Sequence, residues 1–131
     1  MTATAPAPTL DVNIGDKSHQ VLMSFGMLNE LAELVGSIEQ LPAIDFDTHT
    51  RTTTLEVCLA SRDERGRRDP EWFLPPALTV EAAEAVLDFA KEHLFDFFVG
   101  RLEKHLSSLQ ANGTRLKAVG SSLSGSAASA S

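Results

Sequence analysis

Leu10, Val12 and Ile14 alternate with Asp11 and Asn13, and a second apolar stretch resumes at Val21 and Met23 beyond Gly15-Asp16-Lys17. Alternation with period two on either side of a glycine-containing turn predicts a β-hairpin. Two strands alone are marginal in water, so the hairpin must rest on another element. The period then changes. Leu28, Leu31, Ala32 and Val35 fall at i, i+3, i+4 and i+7, with Met27, Leu34 and Ile38 widening the stripe and Asn29, Glu30 and Glu33 opposite it. This spacing predicts a helix over 25–35. Ser24 supplies its N-cap, and Gly36 its stop in a left-handed conformation.

Residues 37–47 hold Leu41-Pro42 and Asp45-Phe46-Asp47, and the proline excludes a long helix there. Asp47 or Thr48 suits the cap of the next element. Residues 50–61 fit two periods. Leu55, Val57 and Leu59 alternate as in a strand, and threonines at 50, 52, 53 and 54 favour one. Leu55, Cys58, Leu59 and Arg62 equally form a helical stripe whose last member reaches water with its charged end. The residues alone leave both open.

Arg62-Asp63-Glu64-Arg65-Gly66-Arg67-Arg68-Asp69 is a charge run with a turn signal at its centre. Trp72-Phe73-Leu74 reads as a short extended segment ended by Pro75-Pro76. Thr79 starts the last element, with Glu81 in its first turn complementing the helix dipole. From Val80 to about Gln110 the pattern is helical, with Ala83, Val86, Leu87, Ala90, Leu94, Phe97 and Phe98 down one side. Thirty helical residues span about 45 Å, more than one small domain, so this helix is expected to break or to extend beyond the core. The two best stripes predict that Leu28, Leu31 and Val35 pack against Val86, Leu87 and Ala90.

Residues 2–9 contain only Thr, Ala and Pro, and residues 120–131 only Gly, Ser, Ala and Leu123. Neither stretch carries enough apolar side chain to offset the entropy of ordering it. The predicted organisation is therefore a disordered tail over 1–9, one domain over 10–112 and a flexible tail over 113–131. The predicted fold class is α+β, mostly α: an N-terminal hairpin, three to four helices and a long C-terminal helix.

Eighteen acidic residues against eleven basic ones give a net charge of −7. That balance argues against a general nucleic-acid binder, which needs clustered Lys and Arg to displace counterions. Cys58 is the one cysteine, so no intrachain disulfide forms. No apolar run reaches the roughly 20 residues that span a bilayer. The N-terminus lacks the basic start and apolar middle of a signal peptide, and a cytoplasmic location is expected.

Catalytic chemistry finds little support. His19, His49, His93 and His105 show no metal-ligand spacing, and Glu92 and His93, adjacent on a helix, point about 100° apart. Cys58 sits in an apolar stretch with nothing local to lower its pKa. Gly120 to Gly125 lacks the strand, helix and lysine of a phosphate loop. The expectation is therefore no enzyme, no metal and no cofactor. Two features suit binding instead. Arg62, Arg65, Arg67 and Arg68 offer contacts to an acidic partner, although Asp63, Glu64 and Asp69 nearly cancel them and favour a solvated loop. Leu94-Phe95-Asp96-Phe97-Phe98-Val99 carries more apolar bulk than one helix face holds. With Leu94, Phe97 and Phe98 turned to the core, Phe95, Val99 and Leu102 form a second stripe at i, i+4 and i+7, a candidate contact surface for a partner or for self-association.

In order, the chain has a hairpin, Phe25-Gly26-Met27-Leu28-Asn29-Glu30-Leu31, Leu55 to Gly66, and Leu87 to Phe98. Over residues 18–106 this resembles the tail assembly chaperones of long-tailed bacteriophages. The resemblance implies a small, largely helical protein that binds the tape measure protein, helps bring in tail tube subunits, works in the host cell cytoplasm and is absent from the finished virion. It favours helix for 50–61. It also implies the option of a longer frameshifted form, for which 113–131 suits the junction. Thr50 to Thr54 and the Thr/Ala/Pro start depart from the family pattern. The competing class is a permanent structural component of a phage tail or head–tail connector.

Overall fold

The computed structural model describes residues 5–130, with side chains described as far as Gly120. Strands β1 (Thr9–Ile14) and β2 (Lys17–Leu22) form an antiparallel hairpin, followed by helices α1 (Phe25–Val35), α2 (Ala43–Phe46), α3 (Thr48–Leu59) and α4 (Val80–Ala130). The chain divides into two units, Met1–Phe98 and Val99–Ser131.

In the first unit the hairpin pairs Leu10 with Val21, Val12 with His19 and Ile14 with Lys17. Gly15, at φ 62°, takes the positive dihedral that the two-residue connection requires. Val12 and Val21 are buried, and Leu10, Ile14 and Met23 pack beside them, so the hairpin does rest on the helical core. Its open end begins earlier than composition predicts. Thr9 belongs to β1, the Pro8 carbonyl accepts the Met23 N–H at 2.9 Å, and the Ala7 carbonyl lies 2.7 Å from His93 Nε2. Residues 1–4 of the expected tail lie outside the described residues.

Helix α1 follows the sequence reading closely. Ser24 Oγ accepts the Met27 N–H, and Gly36 at φ 89° donates to the Ala32 carbonyl. Met27, Leu31 and Val35 are its buried positions, while Leu28 is half-buried. The segment 50–61, which two periods fitted, is helical as far as Leu59. Asp47 caps α3 through both the N–H and the hydroxyl of Thr50, at 2.8 and 2.6 Å. The Thr50 hydroxyl first, then its N–H, hold the Asp47 carboxyl below its usual value. Thr54 is fully buried and its hydroxyl donates to the Thr50 carbonyl one turn back, which removes the cost of burying it. The threonine-rich start thus serves the helix as cap and internal bond.

Leu55, Val57, Cys58 and Leu59 are all buried on α3. Leu55, Cys58 and Leu59 share one face at i, i+3 and i+4, Val57 lies away from it, and α3 contacts both α1 and α2. The stripes of α1 and α4 do join one cluster, which contains Leu31, Val35, Val86, Leu87 and Ala90. The backbone of α1, however, runs beside α3 over more of its length than beside α4.

Thr79 Oγ1 accepts the Ala82 N–H at the start of α4. Val86, Leu87, Phe89, Ala90 and Leu94 are buried, with Phe98 packed at the edge. Phe97 is half-buried and meets Phe98 edge to face at 5.7 Å. In the second unit α4 continues through Gly113, where the sequence reading begins a flexible tail, as far as Ala130. Every residue from Arg101 to Gly120 is exposed.

Candidate binding surfaces

The first unit holds seventeen acidic residues against seven basic ones, a net charge of −10; residues 99–131 hold one against four, a net charge of +3. The acidic excess seen in the whole chain therefore belongs to the folded core.

On that acidic unit the structure separates the two candidate features. Phe95 is 55% exposed. It lines a groove of about 340 Å³ with Leu41, Pro42, Asp45, Lys91 and Glu92. Leu41 and Pro42 come from the segment before α2, so one wall lies roughly fifty residues from the other in sequence. Polar ties join the elements that carry the groove. Lys91 on α4 reaches Asp45 on α2 at 3.0 Å and Asp88 at 3.9 Å. Arg51 on α3 donates to the Ile44 and Asp45 carbonyls at the end of α2 and pairs with Glu84 on α4. These ties hold α2, which at four residues is too short to stand by its own hydrogen bonds. Val99 and Leu102, the other members of the predicted stripe, belong to the second unit, Val99 half-buried and Leu102 exposed.

The arginine turn is not a uniform cationic face. Arg62 and Arg68 form an isolated antiparallel bridge, and Gly66 at φ 81° makes the turn between them. The Asp63 carboxylate accepts the N–H groups of Arg65 and Arg67 at 2.8 and 3.0 Å. Arg62 folds back to the Val57 and Gly66 carbonyls and to Glu30 of α1 at 2.7 Å. Arg68 reaches the same Glu30 at 3.4 Å. Two of the four guanidinium groups are therefore engaged in positioning the loop against α1, and Arg65 and Arg67 stay exposed. Arg67 and Arg68 border a groove of about 510 Å³ shared with Glu30, Glu56, Asp69 and Trp72, whose charges are mixed in sign.

Burial pushes the Cys58 thiol up to about 12, against a weaker opposing pull from Arg62. Among the described residues no group of three or more His, Cys, Asp or Glu is placed to hold a metal ion, and no helix is long and apolar enough to cross a membrane. No known protein family, curated protein or solved structure matches the chain.

Sequence reasoning found Phe95 because the apolar surplus around it exceeds one face. It missed Arg51, Glu84, Lys91 and Asp45, whose partners are set by how α2, α3 and α4 meet.

Proposed function

We propose that this chain is a tail assembly chaperone of a long-tailed bacteriophage that binds the tape measure protein and helps recruit tail tube subunits. The observation that carries this reading is the groove beside exposed Phe95 on a strongly acidic unit. A tape measure protein, as the resemblance in sequence implies, is long, helical and striped with apolar residues. Shielding such a client calls for apolar surface to cover its stripes and for net charge to keep the complex dispersed. Leu41, Pro42 and Phe95 supply the first and the −10 unit the second.

The proposed activity is binding alone, in the host cell cytoplasm, with no catalytic group, cofactor or metal taking part. Mass spectrometry of purified particles, set beside capture of the tagged chain from infected cells, tests it. The tape measure protein is expected in the captured fraction, and this chain is expected to be missing from the particles. Its presence in particles at fixed stoichiometry would replace the reading with a structural component of the tail or connector.

A further inference from the structure

Five of the large apolar residues of the second unit share one spacing, while exposed Val119 falls beside it at a g position. Val99, Leu102, Leu106, Leu109, Gly113 and Leu116 are separated by alternating steps of three and four, the heptad period of a coiled-coil seam. Leu102, Leu109 and Leu116 occupy d positions, and Val99, Leu106 and Gly113 occupy a positions. Leu102, Leu106 and Leu109 are 51%, 50% and 52% exposed, and Leu116 is 72% exposed. A β carbon at Gly113 would meet nothing within 4 Å. A helix interrupted by glycine and exposed along its length is marginal in water.

We propose that this seam pairs with the same seam of a second copy of the chain, as an antiparallel two-stranded coiled coil. In that arrangement a positions of one helix face d positions of the other. Seating Leu106 on Leu109 of the second copy brings Val99 opposite Leu116 and Leu102 opposite Gly113. Each layer then joins side chains of complementary volume, and the glycine makes room for Leu102. Every contact recurs in reverse, as a two-fold interface requires. Parallel pairing would stack Gly113 on Gly113 and leave a void in that layer, which costs stability.

Charge agrees with the same choice. Glu103 and Lys117 both occupy e positions, and antiparallel helices bring their e positions to one flank, so Glu103 shares it with Lys117 of the second copy. The net +3 on each helix opposes association at low salt, and added salt screens it. Pairing is therefore expected to strengthen as salt rises, opposite to a contact held by ion pairs. This inference is independent of the client proposed above, whose groove lies in the other unit.

Sedimentation velocity on the full chain, over a wide range of concentration and salt, tests the pairing. A reversible monomer–dimer equilibrium is expected, with L106E raising the dissociation constant at least about tenfold, equivalent to about 1.4 kcal/mol. Trp72 lies in the first unit, and its unchanged emission separates loss of pairing from unfolding. Orientation follows from single variants L106C and L109C under mild oxidation, with native Cys58 buried and silent. In their mixture, position 106 of one copy is expected to cross-link to position 109 of the other more than either variant cross-links to itself. A chain that stays monomeric at all concentrations, or a dimer indifferent to L106E, overturns the seam. Cross-linking stronger within L106C alone than in the mixture overturns the antiparallel order. If L106E disturbs Trp72, the cross-links alone decide.

Discussion

Leu31→Ala is expected to destabilise the first unit by about 2–5 kcal/mol, the range for truncating a buried leucine. Leu31 is 0% exposed and lies on α1, the helix that meets α3. Removing its isopropyl end opens a cavity where α1, α3 and α4 contribute to one cluster, so the site cannot collapse from one side alone. Urea unfolding followed by Trp72 fluorescence measures the loss as a lower midpoint at unchanged slope. A loss below about 0.5 kcal/mol, typical of a surface position, would show that Leu31 does not close the core.

Phe95→Ser is expected to weaken capture of the tape measure protein by more than about 2 kcal/mol, the threshold of a binding hot spot, and to leave the fold intact. The two halves of this expectation rest on different facts. The ring is more than half exposed, so its removal costs the core little. It is also the one aromatic residue lining the groove with Leu41 and Pro42, so its loss removes the largest apolar side chain offered to a client. Titration of the captured client against both proteins reads the first half, and urea midpoints read the second. If the variant unfolds, Phe95 belongs to the core. If it folds and binds normally, the exposed Arg65 and Arg67 of the arginine turn become the next surface to test.

How much of this was legible in the chain depends on how local each cause is. Helix α1 could be read completely, because Ser24, the apolar stripe and Gly36 act within a dozen or so consecutive residues. Helix α3 could not. Its threonines favour a strand on propensity, and its apolar residues fit both periods, because Val57 is buried as well as the stripe of Leu55, Cys58 and Leu59. What decides the helix is the Asp47 cap and the Thr54 hydroxyl turned back to Thr50, details that propensity averages away. Helix α2 has four residues and no period to detect; Pro42 stands at its N-terminus, as the exclusion of a long helix allows.

The candidate surface divides in the same way. The exposure of Phe95 followed from counting apolar residues against the width of a helix face. Its opposite wall at Leu41-Pro42 did not, because nothing in either segment names the other. The arginine turn was read as a solvated loop from its interleaved acids. That Glu30, more than thirty residues earlier, takes both Arg62 and Arg68 is a product of α1 and the turn meeting in space.

The depth of Cys58 gives the molecule an internal clock. Its sulfur sits on α3, and its pKa of about 12 keeps almost none of it as thiolate near neutral pH. It lies in the last turn of α3 within the shared cluster, so exposing it requires at least that turn to leave the cluster. A thiol reagent in native buffer therefore counts every opening that frees the C-terminal turn of α3, local or of the whole unit. In the regime where closing outpaces modification, the labelling rate of the unaltered chain gives the free energy of the easiest such opening, a lower bound on that of global unfolding, without denaturant.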